Sequence, residues 1–130
     1  MKLLLVDSKA TRRHSVQNVL YSLGVHPRDT IGVIEPRAAI EKIKKETFGC
    51  VFIFAEEKIG YWYNLIVSIR EMLDYNTLPI ILLSDYPTKE QVIDAYEAGI
   101  NAFLRYPCSA SNIEKALTYI NRSIQSPLAE

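Results

Sequence analysis

The sequence predicts a doubly wound α/β domain, a five-stranded parallel sheet with helices on both faces. Three observations carry that prediction. Short apolar runs alternate five times with segments of helical period. Two of those runs, residues 50–55 and 78–83, lack any in–out alternation, as strands covered on both faces should. A helix follows each strand, and crossovers of that length join parallel neighbours in right-handed units.

Each element has its own local reason. Residues 2–6 are the first apolar run, and Val16, Val19, Leu20 and Leu23 then form a stripe at offsets 0, 3, 4 and 7. Gly24 stands where a residue past the helix end would stop it. Residues 30–34 are the second strand, and Pro36 suits the first turn of a helix carrying Ala39, Ile40 and Ile43, which Phe48-Gly49 ends. After the third strand, Leu65, Ile66, Ile69 and Leu73 mark the third helix, and residues 78–83 follow as the fourth strand. Thr88-Lys89-Glu90-Gln91 has capping-box spacing and opens a helix that stops at Gly99. Residues 101–105 are the fifth strand. Ser111-Asn112-Ile113-Glu114 repeats the box and opens a helix with Ile113, Ala116, Leu117, Ile120 and Ile124 on one face. Residues 1–124 thus read as one domain, and 125–130, with Pro127 and no pattern, as a tail or the start of a linker.

Composition narrows the class. Of 130 residues, 48% are hydrophobic and 23% charged, the ordinary globular balance. Fifteen basic side chains offset fifteen acidic ones, leaving no electrostatic reason to expect nucleic acid or an anionic membrane as partner. The longest apolar run, 50–55, is too short to span a bilayer, and the N-terminus is too soon charged for a signal peptide. Cys50 and Cys108 cannot form a disulfide framework and fall in core or core-edge segments, so a reduced, cytoplasmic setting is expected.

In such folds ligands sit beyond the carboxyl ends of the strands, here residues 6–8, 54–60, 84–86 and 106–108. No glycine cluster there could cradle a phosphate. His14 and His26 are isolated and read as surface residues, and Cys108 has no histidine nearby to activate it. No residue set for an enzyme is expected.

The strand ends resemble a known family. Leu78-Pro79-Ile80-Ile81-Leu82-Leu83-Ser84, Ala98-Gly99-Ile100-Asn101-Ala102-Phe103-Leu104 and Tyr106-Pro107 match, without gaps, the receiver domains of two-component response regulators. Leu5-Val6-Asp7-Ser8 and Arg12-Arg13 resemble that family's opening strand and first helix. The resemblance, to a CheY-like domain, implies the flavodoxin-like strand order 2-1-3-4-5. It also implies what an active member needs: an acidic pair and a phosphoacceptor Asp that together hold a divalent cation through oxygen. A Ser or Thr ends the fourth strand, and a Lys precedes a cis-proline after the fifth. Here Asp7 matches one of the acidic pair, with Val6 or Ser8 at the other place. Counting back from Arg70, Phe54 occupies the acceptor position. Ser84 matches the hydroxyl, Tyr106 replaces the lysine, and Pro107 follows it. In the loop after the acceptor, Glu57-Lys58 and Tyr61-Trp62 replace the family's Met-Pro and Asp-Gly.

The expectation is therefore a degenerate, phosphorylation-independent pseudo-receiver, without cofactor, acting in signalling through a protein partner or a second copy. Two alternatives stand beside it: an unconventional phosphoacceptor at Glu56 or Ser84, and a small-ligand sensor lined by Tyr61, Trp62, Tyr63, Tyr86 and Tyr106. Asp7 with Glu56 or Asp85 is a weak metal candidate, against the plainer reading of hydrated carboxylates. Glu56 and Glu57 read as solvated loop residues, since two residues of strand rise carry them past the acceptor position. Phe54 and Tyr106 read as a plug in the vacated pocket. The expected partner face joins Lys89, Val92 and Tyr96, at offsets 0, 3 and 7, to Phe103 and to Lys115, Tyr119 and Arg122, at offsets 0, 4 and 7.

Overall fold

A backbone buried on both faces must pair its polar groups within the sheet, and the five apolar runs do so. The computed structural model describes residues 1–56 and 61–124, the last three of them by backbone alone. In chain order the elements are β1 (Leu3–Val6), α1 (Ala10–Ser22), β2 (Thr30–Val33), α2 (Pro36–Lys45), β3 (Cys50–Phe54), α3 (Tyr61–Met72), β4 (Ile80–Ser84), α4 (Lys89–Ala98), β5 (Ala102–Arg105) and α5 (Ala110–Ile124). A short 3-10 turn, Pro27–Asp29, precedes β2. The strands form one parallel sheet in the order β2-β1-β3-β4-β5, as expected.

The absence of alternation in the sequence now has its cause. Leu4, Val6, Val51, Ile53, Ile80 and Leu82 face one way, against α2, α3 and α4. Leu3, Leu5, Phe52, Phe54, Ile81 and Leu83 face the other, against Val16 and Leu20 of α1 and Ile113, Ala116 and Ile120 of α5. Among the described residues, no helix is long and apolar enough to cross a membrane.

Two ends lie where the sequence places them, and two do not. Thr88 caps α4, its Oγ accepting from the Gln91 N–H at 3.0 Å, and Gly99 ends the helix with φ +118°. At α5 the capping hydroxyl is that of Ser109, accepting from the Asn112 N–H at 3.1 Å, two residues before the expected Ser111. The Ile113 N–H already bonds back to the Ser109 carbonyl, so Ser111 falls inside the first turn. Strand β4 begins at Ile80, not residue 78, because Pro79 has no N–H and the Leu78 carbonyl is taken by Arg70.

Arg70 fastens the amino-terminal edge of the sheet. Its Nε donates to the Gly99 carbonyl at 2.7 Å and Nη1 to that of Leu78 at 2.7 Å. Its Nη2 donates to Asn101 Oδ1 at 2.8 Å, and that oxygen also accepts from the Ile80 N–H. Burial lowers the guanidinium pKa from its usual value. Gly99 is required twice over, by its positive φ and because an added Cβ would come within 2.9 Å of the Arg70 side chain. Arg70→Ala should cost roughly 2–4 kcal/mol of stability by leaving buried carbonyls unpaired, and Arg70→Lys should recover little of it. A urea titration at constant m checks this; a midpoint equal to wild type would make the fastening redundant.

Candidate functional site

The registers Val6↔Ile53 and Phe54↔Leu83 bring the carboxyl ends of β1, β3 and β4 to one rim. There a cleft of about 310 Å³ opens between Ser8, Lys9, Arg12, Phe54, Glu56 and Asp85.

Asp7 is its anchor. The residue directly follows β1, its N–H bonds to the Val33 carbonyl at 3.0 Å, and it is only 6% exposed. A carboxylate so placed must be paired. Arg12 grips it with two bonds, Nε to Oδ2 at 2.8 Å and Nη2 to Oδ1 at 2.6 Å. The Lys9 N–H adds a bond to Oδ1 at 3.0 Å, and Arg13 Nη1 bonds the Asp7 carbonyl at 2.6 Å. Donating to the Asp7 carboxylate raises the Arg12 pKa above its usual value. Two arginines in the first turn of α1, with no acid there, oppose the helix dipole. Asp7 compensates them.

The same guanidinium covers Phe54. Its Cζ lies 3.8 Å above the centroid of the Phe54 ring, a cation–π contact, and Nη2 reaches Glu56 Oε1 at 3.4 Å. Glu56 also accepts hydrogen bonds from the Ser8 hydroxyl and, at 3.3 Å, from the Ser8 N–H. Beneath Arg12, Phe54 meets Tyr106 edge to face, centroids 5.6 Å apart at 85°. Ser84 is buried at the end of β4, its carbonyl accepting from the Tyr106 N–H at 2.8 Å. The Tyr106–Pro107 peptide is cis.

Several expectations need correction. Glu56 is not a solvated loop residue. Its N–H bonds back to the Phe54 carbonyl at 3.0 Å, so the chain leaves the strand direction at once and the carboxylate folds back over the cleft. Asp7 and Glu56 are bridged by Arg12 instead of being separately hydrated, and among the described residues no three His, Cys, Asp or Glu side chains gather as metal ligands. Trp62, Tyr63, Tyr86 and Tyr106 do not form one cluster. Phe54 and Tyr106 belong to the α1/α5 side, whereas Trp62 and Tyr63, 6.0 Å apart, pack on the α2–α4 side. Tyr86 is 76% exposed. Glu57 and Lys58 lie outside the described residues.

Elsewhere, Tyr96, Phe103, Lys115 and Tyr119 line a groove of about 370 Å³ between α4 and α5. Lys89 is exposed and Val92 half-buried on α4, away from the groove lining, and the side chain of Arg122 lies outside the described residues. His14 and His26 are exposed. Burial pushes the Cys50 thiol up and that of Cys108 up to about 11, so both stay protonated at neutral pH.

The part played by Arg12 is absent from the sequence reading. Its separation from Asp7 is not a helical pairing distance. The available signal was electrostatic: two cations opening a helix that offers them no acid.

No family model matches the chain. Chemotaxis protein CheY-3 of Vibrio cholerae is 28% identical over 120 residues, covering 92% of this chain and 91% of that protein. CheY1 of Helicobacter pylori is 28% identical over 123 residues, covering 92% and 96%. The signal receiver domain of an HD domain-containing protein from Pseudomonas fluorescens Pf-5 matches with a TM-score of 0.81 at 21% identity, over 96% of this chain and 97% of that one. The receiver domain of a sensor histidine kinase from Pseudomonas aeruginosa, with magnesium coordinated in its active-site cleft, matches at 0.78 and 19% identity, over 92% and 97%.

Phe54→Asp should not install an acceptor. The new carboxylate would compete with Asp7 for Arg12, with no lysine at position 106 to neutralise a phosphoryl group. We expect a melting temperature lower by roughly 5–10 °C and no phosphate uptake from acetyl phosphate. Ready phosphorylation of this variant would mean that the remaining groups suffice.

Proposed function

From a chain whose fold and curated relatives support a CheY-like receiver domain in two-component signalling, we propose a degenerate member that regulates through protein contact without being phosphorylated. The single observation that supports this is Phe54 at the acceptor position, roofed by Arg12 at 3.8 Å. Phosphoryl transfer in such sites rests on a positioned nucleophile and on neutralisation of the developing charge. Phenylalanine offers no nucleophile, Tyr106 carries no positive charge, and the nearby guanidinium is committed to Asp7. A regulatory domain, with no cofactor and no reaction of its own, is what these residues suit.

The partner face in this reading is the groove between α4 and α5. Tyr96 and Tyr119 are large, exposed anchors, Lys115 gives the groove a polar edge, and Lys89 stands beyond it on α4, the composition of a contact surface. The occupant would be another protein or a second copy of this chain.

Two measurements test this. Intact mass after incubation with acetyl phosphate and magnesium should be unchanged; a stoichiometric phosphate adduct, on Glu56, Ser84 or elsewhere, would sink the proposal. Tyr96→Ala combined with Tyr119→Ala should leave the circular dichroism spectrum intact and weaken self-association or partner capture by at least tenfold. Unchanged binding in sedimentation and pull-down would move the interface to Trp62.

A further inference from the structure

We propose that Asp7, Phe54 and Glu56 form a receptor for a guanidinium group, which Arg12 fills from within the chain as a tethered substitute for a free cation. Three surfaces of the group are read at once. Its edge is forked by the Asp7 carboxylate at 2.6 and 2.8 Å, its face lies 3.8 Å above Phe54, and Nη2 also meets Glu56 at 3.4 Å. Both carboxylates are themselves fixed, Asp7 by the Lys9 N–H and Glu56 by Ser8. Only a planar, delocalised cation satisfies a fork and a ring face together. An ammonium ion can do one or the other. A divalent metal ion takes several oxygen ligands, some of them water, and among the described residues no three His, Cys, Asp or Glu side chains gather to supply the protein's share.

The consequence is regulatory. The positive charge in the cleft is intrinsic to the chain and does not follow the concentration of divalent ions. The Arg12 side chain also ties Asp7, after β1, to Phe54 and Glu56, at and just past the end of β3. The inference goes beyond the proposed function and stands on the cleft geometry, so a phosphate adduct on the wild type would defeat that function while leaving the receptor to be judged separately.

The test is chemical rescue. Arg12→Ala should melt roughly 5–10 °C below wild type, because Asp7 is left buried and unpaired. Methylguanidinium at tens of millimolar should recover at least half of that loss, saturably, and leave wild type unmoved. Methylammonium and magnesium should recover little. In Arg12→Ala with Phe54→Leu the recovery should fall several-fold. Absence of rescue, or equal rescue by methylammonium or magnesium, would overturn the receptor. Should Arg12→Ala fail to fold, Arg12→Lys decides: charge without the plane should still melt below wild type, and wild-type melting of Arg12→Lys would contradict the inference.

Discussion

A carboxylate buried at the end of β1 has to be neutralised, and the arrangement of the site follows from that requirement. Asp7 draws Arg12 down onto its two oxygens. That position sets the guanidinium over Phe54, which packs edge to face with Tyr106. The spare reach of Nη2 then holds Glu56, and Glu56 holds Ser8. Neutral side chains at positions 54 and 106 are compatible with this network because Arg12 already supplies the charge that balances Asp7.

Two arginines thus divide the molecule between them. Arg70, at the amino-terminal edge, gives its hydrogen bonds to uncharged oxygens of Leu78, Gly99 and Asn101 and serves the scaffold. Arg12, at the carboxyl edge, pairs with two carboxylates and an aromatic face and sets the electrostatics of the cleft. The two edges are joined by β1, β3 and β4, which are buried along their whole length.

The fold was legible because the central strands β1, β3 and β4 are short apolar runs and apolar stripes of helical period lie between the strands. The errors were local. Ser109 and Ser111 both offer capping hydroxyls, and pattern alone cannot choose between them. The start of β4 was set by a contact from Arg70, distant in sequence. At the site, reasoning along an extended strand carries Glu56 too far, because the chain turns immediately after Phe54. The aromatics were grouped by nearness to one sheet end, although Trp62 and Tyr106 lie on opposite faces of the sheet. Arg12 joined the site through burial of Asp7, a property no spacing rule reports.

The central claim is that the cation place in the cleft belongs to Arg12. Magnesium titration followed by amide chemical shifts tests it most directly. The account predicts that the amides of Asp7, Ser8, Phe54, Glu56 and Asp85 stay unmoved at millimolar magnesium. A saturable shift confined to those residues would show that a free metal ion displaces the guanidinium, and would contradict it.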